Sequence, residues 1–193
     1  RSDAESSQLD KSGVENDIPR IIDGAYGRPF PNIIFNEVSP YGSENTILLL
    51  SLSKLGLPGV RTGFIVASEA LIQAYATANT ILNLACGNVG PAIAGRLFEN
   101  REVLRISSRM IMPYYRDRAL KTMELFIEAL GDIPCYVHKP EGAIFLWLWF
   151  QQLPVTSGRL YEILKEAGVL VIPGYDSFAG LANDWSHAHE CIR

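Results

Sequence analysis

The sequence predicts an α/β fold in two parts, and three observations carry that prediction. Short apolar runs ending in glycine- or serine-rich turns occupy the first third. Long helical patterns follow from residue 68 to residue 130, and strand-like and helical segments alternate again after that. An α/β part is expected over residues 1–105, and a long helix then leads into a smaller α+β part over residues 106–193.

Composition bounds the class of protein. The chain has 193 residues, 48% hydrophobic and 20% charged, enough apolar material for a real core. Lys and Arg number 17 against 21 Asp and Glu, a net charge of −4, which argues against a sequence-independent nucleic-acid binder. The cysteines are Cys86, Cys135 and Cys191, an odd count with no CxxC pair, so reduced thiols and a cytoplasmic location are expected. No apolar run is long enough for a membrane helix, and no signal peptide opens the chain. The chain opens on Arg1 rather than Met and stops at "HAHECIR" as a strand begins, so it reads as a piece of a longer protein.

The elements follow in order. Residues 1–17 are polar, a frayed helix or a cut end. "IPRIID" (18–23) reads as a short buried strand, and "GAYGRPFPNIIF" after it is turn-rich. "NTILLLSLS" is apolar without alternation, as in a parallel sheet covered on both faces, and "TGFIVA" is a third strand. Ser68 is a plausible N-cap for a helix over "SEALIQAYATANTILNL", and Pro91 opens another, "PAIAGRLFEN". Residues 101–130 carry a long helical pattern with a kink expected at Pro113. "IPCYVHK" and "GAIFLWLWF" read as strands, "SGRLYEILKEAG" as a helix closed by Gly168, and "VLVIPG" as a strand.

Chemistry gathers at the strand ends. Asp23 ends the first strand, with Tyr26 beyond it; Ser51, Ser53 and Lys54 end the second; Arg61 enters the third. In open sheets ligands bind beyond the carboxyl ends of the strands. Pyridoxal phosphate uses such a set. Its aldehyde takes a lysine amine, its pyridine nitrogen a carboxylate, and its phenolic oxygen a tyrosine hydroxyl. Its phosphate takes an arginine fork and small hydroxyls.

"SLSKLGLPGVRTG" resembles the lysine motif of the fold-type I pyridoxal-phosphate enzymes, the aspartate-aminotransferase superfamily of class I and II aminotransferases. "DGAYG" resembles the Asp-x-x-Tyr segment before it. "KPEGAIFLWLWF", "GVLVIPG" and "HECIR" resemble the small-domain strands and the segment bearing the arginine that grips the substrate carboxylate. The resemblance covers roughly residues 18–193. It implies part of a large domain followed by a small domain, with Lys54 as the Schiff-base lysine and proton carrier. It further implies Asp23 at the pyridinium, Tyr26 at the ring oxygen, Ser51 and Arg61 at the phosphate with Ser53 helping, and Arg193 at the substrate carboxylate. The activity implied is transamination between an amino acid and a 2-oxo acid, with L-valine and pyruvate the expected pair, in a homodimer, without nucleic acid, membrane or metal. Family members are longer. Their glycine-rich phosphate turn, ring-stacking aromatic and "NPTG"-like asparagine have no counterpart in residues 1–17.

Other readings are weighed against this one. A pyridoxal-phosphate C–S lyase or another class I and II aminotransferase would use the same motifs, and a non-catalytic aminotransferase-like sensor domain of a transcription regulator would keep the fold. "SLSK" also fits the S-x-x-K of serine β-lactamases, but their serine opens a helix, whereas Ser51 closes a strand. His187 and His189 could ligate a metal, yet no third ligand is spaced to help, and a surface loop is expected there. Trp147 and Trp149 are expected to pack. Cys86 is expected to be a small buried hydrophobe. Gly87, Gly90 and Pro91 are expected either to form a plain helix start or to face the cofactor across a dimer interface.

Overall fold

The computed structural model describes residues 3–25, 45–181 and 185–193. Tyr26 and the whole turn-rich stretch after it lie outside the described residues. The chain divides into two compact units, Arg1–Tyr115 and Arg116–Arg193.

In the first unit the polar N-terminal stretch is a helix, α1 (Asp3–Glu15). Its Asp10 accepts a 2.9 Å ion-paired bond from Arg20, at the start of β1 (Arg20–Gly24). β2 (Thr46–Ser51) runs parallel to β1, with Asp23 opposite Leu49 and Gly24 opposite Leu50. β3 (Gly63–Val66) runs antiparallel to β2, with Ser51 opposite Gly63. The wholly parallel sheet suggested by the unbroken apolar run of β2 is therefore mixed, and β2 is mostly half-buried rather than covered on both faces.

Helices α2 (Glu69–Asn83), α3 (Val89–Glu99) and α4 (Glu102–Ile106) follow. α2 starts after Ser68, although the serine hydroxyl makes no capping bond there. The core of this unit gathers Leu52 and Leu55 from the turn after β2, Ala94 from α3 and Val103 from α4. Phe64 and Phe98 meet edge to face beside it, with ring centroids 5.2 Å apart. The expected kink at Pro113 is a π-helical turn over Ser107–Ile111, just before α5 (Met112–Leu130). Proline has no N–H to offer the carbonyl four residues back, and its ring crowds that carbonyl. The preceding turn widens in response.

In the second unit β4 (Cys135–Val137), β5 (Leu148–Phe150) and β6 (Cys191–Ile192) form an antiparallel sheet in that order. The strand expected over residues 142–150 is shorter than predicted. Ala143 adopts φ +66, so the backbone turns inside "GAIF", and the β4–β5 ladder starts at Leu148 opposite Val137. "VLVIPG" forms no named strand, yet Ile172 exchanges two 2.8 Å backbone bonds with Arg193. The His187 and His189 segment is a one-turn helix, α7 (Ser186–His189), not a surface loop. His187 packs against Trp149 and Trp185, with ring centroids 4.9 and 5.0 Å away. Trp149 stacks on Tyr136 and donates its indole N–H to Glu190 at 2.8 Å, which holds β5 to the chain just before β6.

α6 (Ser157–Glu166) is capped by Thr156, whose hydroxyl accepts the Arg159 N–H at 3.3 Å, and Gly168 closes its far end at φ +81. Thr156→Ala is expected to cost about 1 kcal/mol by orphaning that N–H. Thr156→Ser is expected to keep the stability. Thermal unfolding of the two variants beside the parent checks both. Among the described residues no helix is long and apolar enough to cross a membrane.

Candidate active site

The candidate site lies at one edge of the first sheet. Because β1 and β2 are parallel, their carboxyl ends share that edge. Because β3 is antiparallel to β2, its amino end lies there as well. Asp23 is thus the next-to-last residue of β1, Ser51 the last residue of β2, and Arg61 stands two residues before β3 begins. A wholly parallel sheet would have sent the entrance of the third strand to the opposite edge. The reversal of β3 brings the guanidinium to the same edge as the amine.

Lys54 sits in a 3-10 turn, Ser53–Leu55, directly after β2. Side chains three apart on such a turn point the same way. Leu52 and Leu55, 2% and 7% exposed, both enter the core. Ser53 and Lys54 between them are left half-buried, outside the cluster. The apolar residues on either side of Lys54 therefore fix its backbone. Gly56 ends the turn at φ +94, a conformation in which a side chain would crowd the backbone. The Ser51 hydroxyl accepts the Ser53 N–H at 3.1 Å, so its own O–H remains a donor. Asp23 is exposed, and one of its carboxylate oxygens accepts the Ala25 N–H at 2.9 Å.

Arg61 follows a second 3-10 turn, Pro58–Val60, and adopts φ +47, ψ +46. A non-glycine residue in the left-handed region costs about 1 kcal/mol, and the neighbourhood must hold it there. The Thr62 hydroxyl donates to the Val60 carbonyl at 2.9 Å, spanning Arg61. The Thr62 carbonyl accepts the Leu52 N–H at 3.1 Å, tying the entrance of β3 to the Lys54 turn. Thr62 escaped the sequence reading. "RTG" offers no signal for it except a hydroxyl beside the arginine. Gly90 was read as a helix start or a cofactor-facing residue, and in the folded unit it packs against Val60 and Thr62.

Arg193 belongs to the second unit. Its main chain is bonded to Ile172, and its exposed guanidinium lies over the Phe145 ring, 4.3 Å from the centroid. Stacking covers one face and leaves the N–H edge, the part that forks onto a carboxylate. Cys86 is exposed, not buried, and the Asn79 amide lies 3.0 Å from its sulfur. Burial pushes the thiols of Cys135 and Cys191 up from their ordinary values, so both stay protonated and are poor nucleophiles.

Comparison with known proteins bears on the whole chain. It is 46% identical over 192 residues to the valine–pyruvate aminotransferase of Escherichia coli K12, a match covering 100% of this chain and 46% of that one. The crystal structure of the valine–pyruvate aminotransferase AvtA from Salmonella typhimurium LT2 matches with a TM-score of 0.93 at 46% identity, covering 99% of this chain and 49% of that one. The crystal structure of a candidate amino-acid aminotransferase from Psychrobacter arcticum 273-4 matches with a TM-score of 0.96 at 48% identity, covering 100% of this chain and 44% of that one. The chain thus spans just under half the length of these relatives. The family model for aminotransferase class I and II matches residues 14–180. With that match and close identity along its whole length, this chain belongs to the aminotransferase class I and II family and has the fold-type I α/β architecture.

Proposed function

We propose that the protein carrying this chain is a pyridoxal-phosphate aminotransferase that passes the amino group of L-valine to pyruvate, giving 3-methyl-2-oxobutanoate and L-alanine. The observation that carries this reading is the 46% identity to the E. coli enzyme along the whole chain. The donor set at the sheet edge supports the cofactor: one amine, one carboxylate, one guanidinium and one hydroxyl free to donate, each on a backbone turn or strand end. That is the chemistry an aldehyde, a pyridine nitrogen and a phosphate require. When bound, the cofactor supplies a carbonyl for amine condensation and a ring that accepts electrons from the substrate Cα.

The residues of this chain do the rest. Lys54 would hold the cofactor through its amine, and that amine would take and return the proton at the substrate Cα. Asp23 keeps the pyridine nitrogen charged. Ser51 and Arg61, helped by Ser53, bind the phosphate, and Tyr26 bonds the ring oxygen. Arg193 grips the α-carboxylate shared by amino acid and 2-oxo acid. Residues 1–105 form the last portion of the large cofactor domain, and residues 106–193 form the connecting helix and small domain. The protein works in the cytoplasm as a homodimer. Ile81, Leu82, Leu84 and Val89, each at least 71% exposed around the end of α2, support a covered apolar surface there.

The test is spectroscopic, on the full protein loaded with pyridoxal phosphate. L-valine is expected to shift the near-visible absorption band, and pyruvate to restore it. A band that responds to other amino acids but not to valine would replace the substrate. Release of a thiol from an S-alkyl cysteine would point to a lyase, and a band that no amino acid moves would point to a sensor domain.

A further inference from the structure

We propose that Thr62, seated against Gly90, is the positioning residue that holds Arg61 in place for the cofactor phosphate. The proposal rests on the reading of the sheet edge given above.

Three contacts meet at Thr62. Its hydroxyl bonds the Val60 carbonyl at 2.9 Å across Arg61, and its carbonyl receives the Leu52 N–H at 3.1 Å. Its side chain occupies the space above Gly90: an ideal Cβ on Gly90 would overlap Thr62 Oγ1 and stand 2.8 Å from Thr62 Cβ and 3.1 Å from Val60 O. Gly90 itself has little freedom to withdraw. It is buried in the first turn of α3, and Ala94, one turn further on the same face, is 1% exposed in the core with Leu52 and Leu55. One face of α3 therefore backs both turns, the one presenting Lys54 and the one presenting Arg61. Arg61 needs such backing. Its left-handed backbone is unfavourable by itself, and its own N–H reaches the Pro58 carbonyl at only 3.4 Å, a weak bond. A methyl on Gly90 must displace Thr62, and with it the bond across Arg61.

The test compares two ligands in the full-length protein, pyridoxal phosphate and pyridoxal, which lacks the phosphate. Both are titrated into apoprotein and read through the Lys54-dependent absorption band. Gly90→Ala is expected to weaken pyridoxal phosphate by about tenfold or more, as misplacing a charge-assisted bond does, and to leave pyridoxal within about twofold. Adding Thr62→Gly to Gly90→Ala removes the overlap but not the loss of the hydroxyl bond across Arg61, so it is expected to bind no better than Thr62→Val. Thr62→Val keeps the shape and deletes the hydroxyl, so it is expected to weaken the phosphate ligand alone, by several-fold. Thr62→Ser is expected to bind as the parent does. If Gly90→Ala fails to fold, the Val and Ser pair carries the comparison. Equal weakening of both ligands, or none, would overturn the proposal. A parent protein with no Lys54-dependent band would instead remove the site reading beneath it. A parent that shows the band but does not prefer the phosphorylated ligand would remove the phosphate role of Arg61 and overturn the proposal with it.

Discussion

Lys54→Ala is expected to abolish the near-visible band of the loaded protein and to lower kcat by about 10³-fold or more, since on the proposed function one residue supplies both the covalent attachment and the proton transfer. The structure gives this substitution a clean reading. Leu52 and Leu55 anchor the turn, while Lys54 stands outside the core cluster, so its truncation leaves the buried contacts intact. Lys54→Arg separates amine from charge. Arginine keeps a cation at the site but does not give up its proton at working pH, so it is expected to be as inactive as alanine. Borohydride reduction followed by peptide mapping supplies an independent check. The cofactor should be fixed to the Lys54 peptide in the parent and to no peptide in either variant. A Lys54→Ala protein that retained the band would remove the lysine from the chemistry.

Asp23→Asn is expected to lower kcat by about 10² to 10³-fold, the range seen when one preorganised electrostatic partner of a reacting centre is lost. The substitution removes charge with little else. The carboxylate oxygen that accepts the Ala25 N–H has an equivalent in the asparagine amide oxygen, so the turn after β1 keeps its bond. The residue is exposed, and the change in stability is expected to stay within about 0.5 kcal/mol. On the proposed function the attachment to Lys54 does not depend on Asp23, so the band should remain while turnover falls. A variant with full turnover would show that the pyridine nitrogen is not governed by this carboxylate.

The residue types of the candidate site were legible in the sequence, but not the turn: the second strand is expected through Ser53 with Lys54 at its end, whereas β2 stops at Ser51 and Lys54 sits in a 3-10 turn. In "SLSKLGLPG" the leucines at 52 and 55 have the spacing of a tight helical turn, and the glycine at 56 supplies the backbone reversal that ends it. The turn therefore had to bury its leucines and leave its lysine outside. α6 was legible because Gly168 closes its far end, and the structure adds the Thr156 cap at the other. The strands at 142–150 and 169–174 were read too long. Apolar content marks a segment that wants burial, but a strand exists only where a partner backbone lies alongside. Ala143 turns the chain away before the ladder can begin, and Ile172 meets only Arg193 and a single neighbouring bridge.

The sequence by itself determined which residue types surround Lys54 and in what order. The tertiary structure decided where those residues lie within each unit. The direction of β3 puts Arg61 at the edge that carries Asp23 and Lys54, and the packing of Gly90 against Thr62 holds the arginine turn. The distal ladder lays the Arg193 guanidinium over Phe145. Turn propensity acts over a few adjacent residues and is written in their side chains. Strand direction and helix-to-turn contact depend on which distant surfaces bury each other, a balance no local stretch of residues contains.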